Sequence, residues 1–202
     1  MIAVVNYGRG NLASVANALN RLRAPFRIVR EAEELTRARA VLLPGVGAFD
    51  DAVLQLRTDG LMEPLRRLIL EGKPLLGICL GLQLLFESSE EGRLPGLGVF
   101  PGTIRDFRRA PGRRGEKIPH VGWSPLAHCT DPLLCEGQQF YFVHSYYLDT
   151  PDKDLISSTC HQILDFPASI RRGGIRAFQF HPEKSGELGL QLLKAAVQDM
   201  LM

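Results

Sequence analysis

Cys79 lies in Gly77-Ile78-Cys79-Leu80-Gly81, directly after the apolar run Pro74-Leu75-Leu76, and a histidine and a carboxylate follow far downstream as His181-Pro182-Glu183. A strand, then Gly-x-nucleophile-x-Gly, then the helical run Leu82-Gln83-Leu84-Leu85-Phe86 is the order of a nucleophile elbow. Small flanking residues there permit a tight turn that exposes the central side chain. A thiol gains nucleophilic strength beside a helix N-terminus and an imidazole, and Cys79 has the first by position while His181 can supply the second. His181 precedes a proline, which keeps it extended, so side chains 181 and 183 project to the same side and Glu183 can orient the ring. Nucleophile, base and orienting acid are then all present.

Acyl transfer also needs donors aimed at a developing oxyanion. The turn Pro44-Gly45-Val46-Gly47 follows the apolar run ending at Leu43 and offers the amides of Val46 and Gly47 with little side-chain cover. Leu80, next after the nucleophile, supplies the other amide. Taken singly, Cys79 reads equally well as a buried small hydrophobe and His181-Pro182-Glu183 as a surface turn. Their coincidence with an elbow is what points to chemistry.

The elements that must position these groups follow from periodicity. Strands are expected at residues 2–6, 26–29, 40–43 and 75–78, alternating with helices after the N-cap Asn11 and around residues 53–56 and 61–70. Such alternation builds an α/β fold, a mostly parallel central sheet with helices on both faces and flavodoxin-like layering. Beyond about residue 95, short runs at 98–100, 139–143, 146–148, 155–160 and 168–170 read as hairpins of a smaller antiparallel portion. A strand at 177–180 and an amphipathic helix carrying Leu188, Leu192, Leu193, Ala196, Val197 and Met200 close the chain. The basic stretch from Arg105 to Lys117 reads as a solvated hairpin tip.

With 202 residues, 45% of them hydrophobic and 23% charged, the expectation is a single domain over residues 1–202. A net charge of +2 gives no electrostatic reason to expect nucleic acid or a membrane surface as partner. The apolar N-terminus has no basic leader and is short for a signal peptide, so a cytoplasmic location is expected. Cys79, Cys129, Cys135 and Cys160 form no Cys-x-x-Cys pair, which disfavours a zinc ribbon or redox site and leaves free thiols as the expectation.

Further segments extend the pattern: Tyr7-Gly8-Arg9-Gly10-Asn11-Leu12, Pro119-His120-Val121-Gly122-Trp123, Phe142-Val143-His144-Ser145-Tyr146 and Gln179-Phe180-His181-Pro182-Glu183-Lys184-Ser185. With the cysteine motif, these resemble the class I, triad-type glutamine amidotransferases. The Gly-x-Gly-Asn, Pro-Gly-Val-Gly, Gly-Trp and Val-His-Ser-Tyr segments resemble the histidine-pathway branch, the glutaminase subunits of imidazole glycerol phosphate synthases. The resemblance implies that Cys79 attacks the side-chain amide of glutamine, that His181 protonates the departing ammonia, and that water cleaves the thioester. It implies that Gly45, Gln83, His144, Ser145 and Tyr146 hold the substrate, the last three with Val143 through their backbone. It implies no cofactor, no metal and no phosphate site. It also implies a heterodimer with a cyclase subunit that receives the ammonia, with Asn11, Trp123, Tyr141 and Lys184 facing that partner. Two positions depart from the family pattern: Asn6 stands where Asp is usual and Ser124 where Asn is usual.

Rival readings come from other classes. Gly8-x-Gly10-x-x-Ala13 followed by Glu31 resembles a dinucleotide fingerprint, but it accounts for neither Cys79 nor His181 and Glu183. A lone cysteine hydrolase would act without a partner, and a silent binding subunit would not need an intact triad.

Overall fold

The segments Ile2–Val5, Ala40–Leu43 and Leu75–Ile78 are each buried at all four residues, as strands covered on both faces must be. The computed structural model describes residues 1–8 and 11–202. Its first half runs β1 (Ile2–Val5), α1 (Leu12–Arg21), β2 (Phe26–Val29), α2 (Ala32–Arg37), β3 (Ala40–Leu43), α3 (Phe49–Thr58), α4 (Met62–Leu70), β4 (Leu75–Ile78) and α5 (Leu80–Gln83). The second half runs β5 (Phe86–Ser89), β6 (Phe100–Asp106), β7 (His120–Pro125), β8 (Gln139–His144), β9 (Tyr146–Asp149), β10 (Ile156–His161), β11 (Asp165–Arg172), β12 (Ile175–Phe178) and α6 (Gly186–Leu201).

The main sheet has the order β10-β11-β12-β4-β3-β1-β2. Pairs from β2 through β12 are parallel, and β11 and β10 add an antiparallel edge. Because side chains alternate along a strand, Ala3, Val5, Val41 and Leu43 pack with Val53, Leu56 and Leu65 of α3 and α4. Ile2, Val4, Leu42 and Leu76 pack on the other face with Leu19 of α1 and Leu193 and Val197 of α6. The sheet is therefore sandwiched between two helical layers, and the carboxyl ends of β3, β4 and β12 lie side by side. That edge of a parallel sheet is where α/β folds place their sites. Among the described residues, no helix is long and apolar enough to cross a membrane.

The parallel core and a smaller, largely antiparallel portion agree with expectation; several details differ. The helical run after Cys79 stops at Gln83, because the Leu84 and Leu85 carbonyls accept from Leu97 and Val99 at 2.8 Å each instead of from the next turn. Phe86 then opens β5, which pairs in parallel with β6. Strand 98–100 begins only at Phe100, after a left-handed Gly98 (φ +58°). The antiparallel portion is not a separate unit throughout, since β10 and β11 extend the main sheet. The 105–117 stretch is no hairpin tip: β6 pairs with β9, while β7 pairs with β8. Arg9 and Gly10, the middle of the dinucleotide-like turn, lie outside the described residues.

Candidate active site

At the end of β4 the chain turns sharply through Cys79, whose φ of +54° and ψ of −108° are strained for any residue with a Cβ. The turn packs so closely on β3 that a Cβ at Gly81 would sit 1.9 Å from the Leu43 carbonyl oxygen. The Cys79 amide donates to the Phe178 carbonyl at 2.7 Å, which pins the elbow to the end of β12. Three residues past that carbonyl stands His181.

His181 is extended, as its place before a proline requires, but residues Pro182–Lys184 form a 3-10 turn rather than continuing the strand. The turn brings the Glu183 carboxylate to 2.8 Å from His181 Nδ1, with both side chains only 1% exposed. Burial opposes a charged ring here, yet the charge on the Cys79 sulfur and then Glu183 outweigh it and raise the His181 pKa to about 10. At neutral pH the ring is an imidazolium, held by Glu183 beside the Cys79 sulfur. Its Nε2 meets no fully formed hydrogen-bond partner, and the neighbouring Cys79 sulfur acts on it through charge and close approach. The proton on Nε2 is thus held beside the sulfur and available for transfer. Cysteine, histidine and glutamate meet as their spacing predicts.

The turn at residues 44–47 faces the elbow. Tyr7, fully buried, donates its hydroxyl to the Pro44 carbonyl at 2.7 Å. Burial, then the Cys79 charge, push its phenol pKa up, so it remains a donor. Val46 and Gly47 line a cleft of about 680 Å³ together with Cys79 and Leu80. Leu80 opens α5, where first-turn amides have no partner within the helix, so its N–H is available to an oxyanion. Gly45 is buried, and an added Cβ there would meet the Tyr7 hydroxyl at 2.6 Å and Leu80 Cβ at 2.7 Å, so its lack of a side chain lets the turn pack on the elbow.

Gln83, His144, Ser145 and Tyr146 also line the cleft, with Asn11 and Lys184. His144 is fixed by a chain of hydrogen bonds. Its Nδ1 lies 2.7 Å from the Tyr146 carbonyl, which can only accept, so Nδ1 carries the proton. His144 Nε2 is then an acceptor, and His120 Nδ1 at 3.1 Å is its donor. That leaves His120 Nε2 to accept from the Ser124 hydroxyl at 2.9 Å. Burial lowers the His120 pKa to about 4 and that of His144 to about 3, so both rings are neutral. Ser124 therefore caps the chain, and Asn6, the other departure, accepts from the Gly8 amide at 3.0 Å and holds the first turn.

Trp123 and Val121 each remain 53% exposed on the outer face of β7. Trp123 lies opposite Tyr141 in the β7–β8 pairing, ring centroids 6.3 Å apart. Tyr141 in turn accepts from the His181 amide at 2.9 Å, and its own amide donates to Ser185 Oγ at 2.9 Å. Two groups, one on the cleft and one buried behind it, were given no role by the sequence reading. Glu91 lines the cleft with its carboxylate anchored by the Phe49 amide at 2.9 Å, and burial raises its pKa. Gln179 lies beneath the sulfur. Glu91 stands in no motif, and Gln179 opens the His-Pro-Glu segment without a local chemical signature of its own; the fold, not the local sequence, sets their places.

The chain matches the family model for class-I glutamine amidotransferases over residues 3–199. It is 47% identical to the imidazole glycerol phosphate synthase subunit HisH of Herpetosiphon aurantiacus over 197 residues, covering 96% of this chain and 91% of that one. The HisH subunit of Gloeobacter violaceus is 46% identical over 203 residues, covering 98% and 88%. Among solved structures, a glutamine amidotransferase superposes with a TM-score of 0.74 at 22% identity over 100% of both chains. PurLQS from Thermotoga maritima gives a TM-score of 0.74 at 17% identity over 98% and 97%. The two structural likenesses speak for the fold. By the family match and the identity to its relatives, the chain belongs to the class-I glutamine amidotransferases and, within them, to the HisH subunits of imidazole glycerol phosphate synthase, enzymes of histidine biosynthesis.

Proposed function

We propose that residues 1–202 act as one glutaminase unit in which Cys79, His181 and Glu183 hydrolyse glutamine and pass the ammonia to a cyclase subunit bound as a heterodimer. The observation that carries this reading is the charged His181, set by Glu183 beside the elbow sulfur in an amino-acid-sized cleft. The sulfur, as thiolate, attacks the carboxamide carbon, and negative charge grows on the carboxamide oxygen. Val46, Gly47 and Leu80 line the cleft beside Cys79, which supports giving their amides the task of meeting that charge. When the C–N bond breaks, the nitrogen takes the Nε2 proton of His181 and leaves as ammonia, with the acyl group held on sulfur. The now neutral ring takes a proton from water, whose oxygen attacks the thioester, and glutamate departs as the thiolate returns.

Glu91 suits the substrate's α-ammonium, a cation that its anchored carboxylate can meet inside the cleft. Gln83 and the backbone of residues 143–146 suit the rest of the amino-acid end. Ammonia released into water is protonated and loses its nucleophilicity, so the chemistry favours a dry route to a second active site. The exposed Val121 and Trp123, with Asn11, Tyr141 and Lys184 around the cleft, form the surface on which the cyclase would close.

The test is reconstitution with a candidate cyclase and its aminoimidazole carboxamide nucleotide substrate. Glutamine should support formation of imidazole glycerol phosphate and aminoimidazole carboxamide ribonucleotide. Cys79→Ala should abolish this while product formation from added ammonia persists. Product from ammonia alone with the unaltered chain present would overturn the assignment.

A further inference from the structure

Gln179 is fully buried at the end of β12, anchored by its backbone amide on the Ala168 carbonyl at 2.8 Å. Its side-chain Nε2 lies 3.6 Å from Cys79 Sγ, and its Oε1 accepts from Gln83 Nε2 at 3.1 Å. We propose that Gln179 is a further catalytic residue: its carboxamide, locked in one orientation by Gln83, donates a hydrogen bond to the Cys79 sulfur and sustains its negative charge.

The orientation follows from the ends of the amide. A carboxamide has one accepting end and one donating end, so once Gln83 donates to Oε1, the donating end must face the sulfur. Rotating it by half a turn would set oxygen against a charged sulfur and oppose two NH2 groups. Cys79 is 7% exposed, and a charge so far from water needs donors close by. Among the described residues, Gln179 supplies the one formed hydrogen bond to that sulfur, since His181 contributes charge without a well-formed bond. The two donors have separate tasks. His181 gives its proton away when ammonia leaves, whereas a carboxamide keeps its protons through the whole cycle. Gln179 therefore supports the sulfur again when the thioester breaks and thiolate is the leaving group. Because Gln83 also lines the cleft, bound glutamine and the sulfur are joined through a single pair of amides.

This inference rests on Cys79 being the nucleophile, and the experiment reads the sulfur without glutamine or a partner. The full chain is treated with iodoacetamide at pH 7, and Cys79 alkylation is followed by peptide mass spectrometry in the parent, Gln179→Met and Gln83→Met. A hydrogen bond to a charged group is worth about ten- to a hundredfold in an equilibrium, and the less stabilised thiolate recovers about half of that logarithmically through greater nucleophilicity. Alkylation should therefore slow about three- to tenfold in Gln179→Met, and less in Gln83→Met, where the donor remains but loses its lock. In glutamine hydrolysis, kcat should fall with KM little changed for Gln179→Met. Unfolding in urea identifies a variant that has lost its fold. In that event the parent decides: the Gln179 side-chain amide proton resonances should move on alkylation of Cys79. Equal alkylation rates in folded Gln179→Met and parent, or unmoved resonances in the parent, would overturn the role of Gln179. Rapid alkylation slowed by Gln179→Met, in a protein that never hydrolyses glutamine, would instead sink the functional reading and leave the sulfur contact standing.

Discussion

Lowering the pH from 7 to 5 tests the neutral histidine chain beneath the cleft. In the unfolded chain His120 and His144 take up protons near 6.5, whereas in the fold burial holds their pKa values at about 4 and about 3. The unfolded state then binds more protons, so stability falls as the pH drops below 6.5 and continues to fall until the folded values are reached. Each ring costs about 1.4 kcal/mol per pH unit in that window, which for His144 is about 2 kcal/mol by pH 5. His120 is less deeply buried than His144, so its share is discounted to about 1 kcal/mol. His181 has the opposite sign: raised to about 10, its contribution is fully in place below 6.5 and is lost progressively as the pH rises from there through 10. The sum is a loss of roughly 3 kcal/mol between pH 7 and 5 from the pair. His120→Gln keeps an amide donor for His144 and removes one titrating ring, so its loss should be smaller by about 1 kcal/mol. Urea unfolding at both pH values measures the difference, and nitrogen-15 correlation spectra read the tautomers directly. Both rings should show a protonated Nδ1 and a bare Nε2 at pH 5. An imidazolium signal from His144 there, or equal losses in the two proteins, would refute the assignment of neutral rings.

Tyr7→Phe removes the donor to the Pro44 carbonyl while keeping the ring, and should cost about 1–2 kcal/mol in urea unfolding, with glutaminase activity altered through the loosened 44–47 turn. Gly81→Ala places a Cβ 1.9 Å from the Leu43 carbonyl, so the elbow must open; Cys79 alkylation and glutamine hydrolysis should both be lost, whereas Gly112→Ala, in open space but at positive φ, should cost only about 1 kcal/mol of stability and leave activity intact. Trp123→Ala strips the largest exposed apolar group from β7 and should weaken cyclase binding at least about tenfold by calorimetry, with cyclase-free glutamine hydrolysis within twofold of the parent.

What the sequence made legible depended on how local the cause was. β1, β3 and β4 stand out because strands covered on both faces need unbroken apolar runs. The nucleophile, histidine and glutamate stand out because an elbow and a His-Pro-Glu turn are short-range devices. β5, with sequence FESS, and β7, with sequence HVGWSP, carry polar residues, Gly and Pro, and exist because β6 and β8 offer them partners. Gln179 reaches Cys79 across 100 positions and Gln83 across 96, and Glu91 reaches Phe49 across 42. No local pattern announces a neutral amide whose task is set by such distant contacts.

The same distant contacts decide how a surface can bear on the chemistry. β8 carries Tyr141 on its outer side, opposite Trp123, while its backbone at that residue accepts from His181 and donates to Ser185. Ser185 Oγ also donates to the His181 carbonyl at 2.7 Å, so the segment bearing the His181 ring is bonded to β8 at both of its backbone polar groups, directly or through one hydroxyl. One strand residue further on, Phe142 stacks against His120, and His144 ties the strand to the substrate wall at Tyr146. A displacement of β8 along its length cannot leave His181 and the 143–146 wall both where they were, because the hydrogen bonds that join them are buried and costly to leave unmade. Under the proposed function, a partner seated on Trp123 and Tyr141 would act on the strand that holds both His181 and the 143–146 wall. Activity that responds to partner binding would then need no device beyond this sheet.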